Sequence, residues 1–207
     1  MAKPDRSIDP RILESAKKEF LERGYETASL KTICENAEIT TGALYKRYRG
    51  KEDLFCAVVA DTVTALNTVI EEKCAIPVEK LSDQELVSAW EMNESMLWWF
   101  QFLYERREGF LLLIKCADGT RYANFQHDWV ETMTGKSYEY FLEAKKRGLT
   151  SANVSRDEMH ILLSAFWTTI YEPFIHGYTR KQIEEHCNLI CDLFNWRRVL
   201  GFLLSYN

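Results

Sequence analysis

Apolar residues recur at every third or fourth position along almost the whole chain of 207 residues. This spacing places them on one face of an α-helix, whereas a β-strand would need alternation at every second position. Glycine and proline are scarce, with 9 and 4 residues, so few positions interrupt a helix. The pattern therefore predicts an all-α fold of about nine helices joined by short connections.

Capping residues divide the N-terminal part of this pattern into four predicted helices. Asp9 can cap the first helix, and Gly24 can follow its end. Ser29 and Thr40 can cap the second and third helices, and the fourth begins at Lys51. Beyond it, we predict helices at residues 84–107, 110–116, 122–147, 156–177 and 180–204, with a break at Gly109 between the first two.

Charge and aromatic residues are distributed unevenly along the chain. Residues 1–51 carry 11 Lys and Arg against 8 Asp and Glu, whereas residues 52–207 carry 15 against 23. All six tryptophans lie beyond residue 89. We predict two domains with different tasks, a mildly basic head at residues 1–52 and an acidic, aromatic body at residues 53–207.

Several other classes of protein are disfavoured by the sequence. We expect no membrane-spanning helix, because no run of 18 apolar residues is present, and the N-terminal residues lack the apolar stretch of a secretion signal. The six cysteines follow no framework spacing and are expected to be reduced and buried, which indicates a cytoplasmic protein. His186, Cys187 and Cys191 lack a fourth ligand nearby, so we expect no metal and no other cofactor.

Residues 29–54 have the spacing of a helix-turn-helix, in which the second of two short helices enters the major groove of DNA. Gly42 and Ala43 are small enough to let the start of that helix approach base edges closely. Tyr45 brings a hydroxyl group to the position of the phosphates. Four positive charges follow within six residues, at Lys46, Arg47, Arg49 and Lys51. The segment therefore predicts binding to double-stranded DNA.

Over about residues 8–60, the sequence resembles the TetR family of bacterial regulators. The resemblance rests on Gly24-Tyr25, Thr27-x-Ser29-Leu30-x-x-Ile33 and Ile39-Thr40-x-Gly42-x-Leu44-Tyr45-x-x-Tyr48-x-Gly50-Lys51-Glu52-Asp53-Leu54. Two positions depart from the family's usual pattern. Lys46 stands where an aromatic residue is usual, and Arg47 stands where a histidine or tyrosine is usual. Both changes add positive charge.

The resemblance implies two kinds of DNA contact, carried over position by position. Contacts to phosphates are implied for Ser29, Thr40, Tyr45, Arg47 and Lys51. Contacts to base edges are implied for Lys31, Thr41, Gly42, Ala43 and Lys46. The apolar positions of the same segment are expected in the core of the head instead, namely Leu30, Ile33, Ala37, Leu44 and Tyr48.

Aromatic residues are dense in the body, and aromatic walls suit a concave binding site for an apolar ligand. The competing interpretation is that these rings only fill the core. Our candidates for the lining of a ligand site are Trp98, Phe102, Trp129, Phe166 and Tyr171. Four carboxylates lie nearby in the sequence, at Glu94, Glu105, Asp128 and Glu172, so the ligand could be a lipophilic cation. A neutral lipid-like or aromatic molecule is the alternative.

The last two predicted helices, 156–177 and 180–204, are apolar on more than one face and must be covered on both sides. Resemblance to the TetR family implies that they pair with a second copy of the chain. Two-fold symmetry would then present two recognition helices about 34–36 Å apart to a palindromic operator. Pro173 is expected to kink the first of these helices.

The resemblance also implies a mode of action, repression that a small hydrophobic or aromatic inducer relieves. The alternative is a ligand-blind dimeric scaffold that binds DNA and recruits a protein partner. An enzyme with a DNA-guided head is not expected, because the body has no phosphate-binding glycine loop and no nucleophile–base motif.

Overall fold

The computed structural model describes residues 8–73, 75–92 and 94–202, without the side chains of residues 73, 94 and 95. These residues form an all-α structure, as predicted. Its α-helices are α1 (Asp9–Thr27), α2 (Leu30–Asn36), α3 (Thr41–Tyr45), α4 (Lys51–Lys73), α5 (Asp83–Ser88), α6 (Glu94–Glu105), α7 (Arg107–Lys115), α8 (Phe125–Lys146), α9 (Arg156–Ile175), α10 (Arg180–Leu193) and α11 (Trp196–Val199). A 3₁₀ helix covers Val78–Lys80.

The chain divides into two compact units, and neither is continuous in sequence. Unit 1 comprises Met1–Thr68 and Arg106–Gln126, and unit 2 comprises Val69–Glu105 and His127–Asn207. The helices α4 and α8 each contribute residues to both units. The predicted boundary between two domains at residue 52 remains a prediction.

The core of unit 1 joins the helix-turn-helix to the helix before it and to the start of α4. Its fully buried side chains include Ile12, Ala16, Phe20, Ile33, Leu44, Leu54 and Phe55. Of the predicted core positions, Ile33, Ala37 and Leu44 are buried, whereas Leu30 and Tyr48 are half-buried. The rings of Phe20 and Phe55 meet edge to face at 5.1 Å between centroids, a favoured aromatic geometry.

The two ends of α1 differ from the prediction in instructive ways. Asp9 lies inside the first turn of the helix rather than capping it, and its carboxylate instead accepts a hydrogen bond from Arg47. Gly24 has φ of 72° and ψ of 165°, a backbone conformation that glycine adopts readily and other residues rarely do. One further helical turn, up to Thr27, follows it.

The helix α7 packs against α1 in unit 1. Gly109 was predicted to break the helix before α7, but it lies at a contact between helices. The break falls at Arg106, and Gly109 lies inside α7. A Cβ atom at Gly109 would lie 2.0 Å from Thr62 Oγ1, so the glycine permits close approach between α7 and α4. An ion pair of 2.7 Å between Lys17 and Glu108 joins α7 to α1.

The helix α4 is more apolar than the sequence analysis allowed. Over Lys51–Glu72 it is long and apolar enough to cross a membrane by length and composition alone, with a mean hydropathy of 1.5. A core helix of a soluble protein passes the same test. Leu54, Phe55, Val59 and Leu66 of this helix are buried within the fold, and 33% of the apolar window is buried in all.

Unit 2 contains two breaks that the sequence analysis missed. The predicted helix at 84–107 is two helices, α5 and α6, and Glu91 in the connection is bound by Arg197 at 2.7 Å. The predicted helix at 180–204 ends at Leu193. There Asn195 caps the short helix α11 by accepting a hydrogen bond from Arg198 N–H. Residues 203 and 204 of that prediction lie outside the described part of the chain.

In unit 2, His186 supplies a hydrogen bond that Pro173 cannot donate within α9. Pro173 has no N–H group, so the carbonyl oxygen of Thr169 lacks the usual donor of an α-helix. The imidazole Nε2 of His186 donates to that oxygen at 2.8 Å, and α9 continues to Ile175. The position of His186 next to two cysteines is thus explained by a helix repair rather than by metal ligation.

The cysteines of the described residues are free thiols. Cys34, Cys116 and Cys187 are buried as expected, whereas Cys56 and Cys191 are half-buried. Burial, together with the adjacent Cys191, raises the pKa of Cys187 to about 12. Cys74 lies outside the described residues. Within the described ranges, no group of three His, Cys, Asp or Glu side chains is placed to hold a metal ion.

Candidate DNA-binding surface and body cavity

Side-chain caps hold both helices of the helix-turn-helix at their predicted starts. Ser29 Oγ accepts a hydrogen bond from Thr32 N–H at 3.3 Å, and Thr40 Oγ1 accepts one from Ala43 N–H at 3.2 Å. In the turn between them, Glu38 has a positive φ of 54°. These caps satisfy N–H groups that the first turn of a helix otherwise leaves without partners.

A buried carboxylate supports the first of these caps, and the sequence analysis did not identify it. Glu19 in α1 is 3% exposed, and its Oε1 accepts a hydrogen bond from Ser29 N–H at 3.0 Å. Arg23 lies 3.4 Å from the same oxygen atom. The sequence signal was an acidic residue at 19 beside Phe20 on the buried face of α1. Glu19 thereby ties the start of α2 to α1.

The exposed end of the helix-turn-helix presents a polar surface. Thr41, Gly42 and Lys46 are exposed, and Tyr45 is 57% exposed. A Cβ atom at Gly42 would meet only Thr40 Oγ1, at 3.9 Å. Packing among the described residues therefore does not require glycine at 42, although glycine is costly in a helix. A requirement for close approach by an external partner would account for it.

Lys31 and Ala43, the other two residues predicted to contact bases, lie on the two short helices. The side chain of Lys31 is 81% exposed and its Nζ lies 3.8 Å from Glu35 one turn later, a weak surface pair. Ala43 is half-buried. Its N–H group is used by the cap of Thr40, so only its methyl group is offered outward.

Arg47 is at the predicted place but its charge is used inside unit 1. The guanidinium Nε donates to Asp9 Oδ1 at 2.5 Å, and Nη1 donates to the carbonyl oxygen of Ala43 at 3.2 Å. The side chain is 15% exposed. Arg47 therefore ties the end of α3 to the start of α1.

Lys51 is likewise directed towards the protein. Its Nζ donates to the carbonyl oxygens of Glu26 and Ala28 at 2.8 and 3.2 Å. The same atom lies 4.8 Å from the centroid of the Tyr25 ring, within the range of a cation–π interaction. Lys51 thus joins the start of α4 to the end of α1.

Arg49 was not among the predicted contact residues, and its side chain lies on the exposed surface. Its backbone N–H donates to Asp53 Oδ2 at 3.0 Å, which holds the segment before α4 in place. The cations of this region accordingly form two groups. Arg47 and Lys51 are turned inward, whereas Lys31, Lys46 and Arg49 are exposed.

Unit 2 contains a cavity of about 580 Å³, which is within the range of small-molecule sites. Of the five predicted lining residues, Trp129 and Phe166 border it. Trp98, Phe102 and Tyr171 do not. The ring of Trp98 is partly exposed and stacks on Phe102 at 5.2 Å, and that of Tyr171 packs edge-on against Trp167 at 6.1 Å. Three further tryptophans border the cavity, at positions 90, 99 and 167.

The charged residues at the cavity differ from those that the sequence suggested. Glu85, Glu91 and Lys136 border it. Glu105, Asp128 and Glu172 are not among its lining residues, and the side chain of Glu94 lies outside the described residues. Helical spacing could not identify Glu85 and Glu91, because they lie on the separate helix α5 and in the connection after it.

Large apolar side chains are exposed on the last helices of unit 2. Ile161 in α9 is 66% exposed, and Leu189 and Leu193 in α10 are 66% and 68% exposed. Leu189 and Leu193 are four residues apart, so they lie on one face of α10. This face has the apolar character of a surface that another protein chain covers.

Comparison with known proteins identifies the N-terminal part of the chain. The model of the family described as bacterial regulatory proteins, tetR family, matches residues 12–58. The HTH-type transcriptional regulator UidR of Escherichia coli (strain K12) is 40% identical over 58 residues, which are 28% of this chain and 28% of that protein. The HTH-type transcriptional repressor AcnR of Corynebacterium diphtheriae is 31% identical over 67 residues, 32% of this chain and 35% of that protein. The match thus spans about a third or less of each curated relative.

The similarity of fold extends much further than the similarity of sequence. A TetR-like transcriptional regulator from Rhodococcus sp. RHA1 has a solved structure that aligns with 97% of this chain and 100% of its own, with a TM-score of 0.63 and 17% identity. At that identity the alignment shows a shared fold. The N-terminal helix-turn-helix and the helical body therefore occur together in a known architecture.

Proposed function

Because the chain belongs, by its N-terminal segment, to the TetR family of bacterial regulatory proteins, we propose that it is a transcription regulator that binds a palindromic DNA operator as a homodimer. A small hydrophobic or aromatic effector would release it from the operator, so that it acts as a repressor in the cytoplasm. This function requires binding and no catalysis.

The observation that supports DNA binding most strongly is the surface of α3. Its start is capped by Thr40, its first residues are Thr41 and the spatially unconstrained Gly42, and exposed Tyr45 and Lys46 follow. A capped helix start with little side-chain bulk can lie against base edges in the major groove. The N–H groups of such a start also favour nearby phosphates.

The geometry supports a division of roles among the side chains. We assign phosphate contacts to the hydroxyl groups of Ser29, Thr40 and Tyr45. Base-edge contacts go to Lys31, Thr41, Gly42, Ala43 and Lys46, as the family resemblance implies. Arg49 joins the phosphate contacts because it is exposed next to α3. Arg47 and Lys51 have their charges engaged within unit 1, and their role is to position α3 and α4.

The exposed apolar face of α9 and α10 supports a homodimer. An unpaired face of this kind is unfavourable in water, since each buried leucine contributes about 1.5–3 kcal/mol. Pairing with the same face of a second copy would bury Ile161, Leu189 and Leu193 around a two-fold axis. The two heads would then be held as a pair, as a palindromic operator requires.

The effector would act by shifting a population between two states. It can do so only to the extent that it binds one state more tightly than the other. The helix α4 contributes Val69 and Ile70 to the cavity and Leu54 and Phe55 to the core of unit 1, which makes it the candidate element of communication. Repression is supported by the name of AcnR, which is a repressor.

One experiment tests the operator and the dimer together. Operators are selected from random duplexes, affinity is measured by fluorescence anisotropy, and mass is measured by analytical ultracentrifugation. We expect a dimer and palindromic sites. The double variant Leu189→Glu with Leu193→Glu should be monomeric and lose operator binding, because four charges would be buried across the two-fold axis.

The control variant is Leu142→Glu, which places one charge at a leucine of α8 that is 47% exposed. It should remain dimeric and bind DNA as the unaltered protein does. A monomeric protein, or selected sites without symmetry, would contradict the proposal. The alternative, a ligand-blind dimeric scaffold that recruits a protein, would retain dimerisation and DNA binding but show no ligand response.

A further inference from the structure

Several tryptophans contribute to the wall of the cavity in unit 2. Four of its lining residues are tryptophans, at positions 90, 99, 129 and 167. The rings of Trp99 and Trp129 lie nearly parallel, at 13° and 6.0 Å between centroids. The rings of Trp129 and Trp167 follow at 5.5 Å and 33°. Aromatic rings in such an array interact best with a further flat ring that stacks with an offset or meets them edge-on.

The two carboxylates at the cavity are already engaged by the protein. Glu91 Oε1 accepts a hydrogen bond from Arg197 Nη1 at 2.7 Å, so its charge is neutralised by an arginine. Glu85 Oε2 accepts hydrogen bonds from both the N–H and the hydroxyl group of Ser82, each at 2.7 Å. These bonds to the Ser82 hydroxyl and backbone hold the pKa of Glu85 below its usual value.

Lys136, the third charged residue at the cavity, has an acidic partner. Lys136 Nζ lies 3.4 Å from Glu139 Oε2 on the same helix, and its side chain is 46% exposed. A bound cation would have to compete with Arg197 for Glu91, and a bound carboxylate would have to compete with Glu139 for Lys136. Placing a charge among the rings without a partner costs free energy. The ion pairs of Glu91 and Lys136 therefore disfavour an ionic occupant beside them, while the carboxylate of Glu85 is held in the capping box at the start of α5.

An extended acyl chain fits the rings less well than a flat molecule does. It would bury apolar area against the indoles, but it has no ring to stack on them. The polar residues that border the cavity include Ser88 and Ser137, and a serine hydroxyl group suits a neutral polar group. We therefore propose that the cavity binds a neutral, flat aromatic molecule of two or three fused rings, in preference to a lipophilic cation or a fatty acid. The proposal rests on the proposed function for its regulatory meaning, since this occupant would be the effector.

The test uses three probes of nearly the same shape and different charge on the full-length protein without DNA. These are naphthalene-2-carboxamide, 2-naphthoate and N-methylquinolinium, with decanoate as the acyl probe. Affinities are measured by isothermal titration calorimetry. We expect the neutral carboxamide to bind at least tenfold more tightly than each of the other three. Tighter binding of any charged probe or of decanoate, or no binding of the carboxamide, would overturn the proposal.

Two variants locate the binding site. Trp129→Ala removes the central ring of the array and should weaken binding of the carboxamide at least tenfold. The matched control Trp98→Ala removes a partly exposed tryptophan that is not among the lining residues, and affinity should change less than twofold. Equal affinities of the two variants would place the probe elsewhere. Should Trp129→Ala fail to fold, Ser137→Phe gives a second test, because it fills the cavity with a ring and should abolish binding.

Failure of this inference can be separated from failure of the proposed function. Operator selection and the dimer test require no ligand. A protein that binds a palindromic operator but prefers a charged probe keeps the proposed function and loses this inference. A protein that binds the carboxamide at Trp129 but binds no operator keeps the cavity assignment and loses the regulatory role.

Discussion

In unit 1 the residues offered to a partner lie on the surface of short helices, whereas in unit 2 they line a cavity. The surface in unit 1 depends on local devices, such as the caps of Ser29 and Thr40 and the glycine at 42. The cavity in unit 2 depends on residues brought together from α4, α5, α6, α8 and α9 and from the segments on either side of α5. The candidate DNA-binding surface thus lies within one short stretch of sequence, between Ser29 and Arg49, whereas the residues that line the cavity extend from Val69 to Ile170.

The largest expected effect concerns close packing within unit 1. Gly109→Ala places a Cβ atom 2.0 Å from Thr62 Oγ1, and the overpacking should lower the free energy of unfolding by about 1–3 kcal/mol. Its matched control is Gly135→Ala in α8, where a Cβ atom would meet nothing within 4 Å. That change should raise stability by about 0.5–1 kcal/mol, because alanine favours the helix.

Both values follow from chemical denaturation monitored by circular dichroism. The added variant Thr62→Ala should relieve part of the loss caused by Gly109→Ala, since it removes the oxygen atom that clashes. Equal stability of the two alanine variants would show that α7 and α4 do not approach each other as closely as described.

A smaller effect is expected on the affinity of the cavity in unit 2 for a cation when the ion pair of Glu91 is removed. Arg197→Met removes the partner of Glu91 and leaves a carboxylate at the cavity. The affinity for N-methylquinolinium should then rise about tenfold, equivalent to about 1.4 kcal/mol, as titration calorimetry would measure. Arg156→Met, which removes the partner of Glu131 away from the cavity, should change the affinity little. An unchanged preference in Arg197→Met would mean that the pair does not control the charge of the occupant.

A further prediction separates the two groups of cations in unit 1. Arg49→Gln should reduce the slope of log affinity for the operator against log salt concentration by about 0.9, because one phosphate contact is lost. Between about 50 and 200 mM salt, this amounts to roughly a threefold difference in how far affinity falls. Fluorescence anisotropy at four salt concentrations provides the slope.

The matched variant Arg47→Gln should leave that slope unchanged while it lowers thermal stability. Its guanidinium bonds to Asp9 and to the carbonyl oxygen of Ala43 within unit 1. If the slope were reduced for Arg47→Gln and unchanged for Arg49→Gln, Arg47 would be the phosphate contact, as the family resemblance implies. The assignment of that contact to Arg49 would then be wrong.

The smallest expected effect is a dependence of stability on pH in unit 2. Hydrogen bonds from Arg147, then Lys146, lower the pKa of Glu143 from its usual value of 4.5. Because the folded pKa is the lower one, this pairing stabilises the protein above pH 4.5 and is lost as the pH falls through the folded pKa. As the pH falls from about 5 to 3, the free energy of unfolding should therefore decrease less for Glu143→Gln than for the unaltered protein. Denaturant titrations at each pH give the comparison, with Glu139→Gln on the same helix as control; a variant as acid-sensitive as the unaltered protein would contradict it.

Prediction from sequence was most successful where one residue acts on its immediate neighbours. The caps of α2 and α3, the start of α4 and the all-α class follow from residue type and spacing over a few positions. Predictions that needed a distant partner failed. Asp9 was expected to cap α1 but binds Arg47, and Gly109 was expected to end a helix but lies at a helix contact.

The cavity illustrates the same limit. Trp129 and Phe166 were identified as lining because they lie among other aromatic residues, yet the same reasoning selected Trp98, Phe102 and Tyr171. Glu85 and Glu91 could not be identified as cavity residues from helical spacing, because they lie on the separate helix α5 and in the connection after it. The pairing of Glu91 with Arg197 could not be identified either, because the two residues are 106 positions apart in the sequence. Which of several rings faces a cavity depends on the packing of neighbouring helices, and residue type and spacing within one helix do not specify that packing.

The amino-acid sequence alone determined that the chain is helical, that residues 29–54 form a capped helix-turn-helix, and that all six tryptophans lie beyond residue 89. These properties arise from interactions within one or two helical turns, which residue order specifies directly. Only the tertiary structure decided which cations turn inward, which tryptophans enclose the cavity and which charges there are neutralised. Those outcomes depend on contacts between residues far apart in the chain, and their free energies are set by burial and partner geometry rather than by residue type.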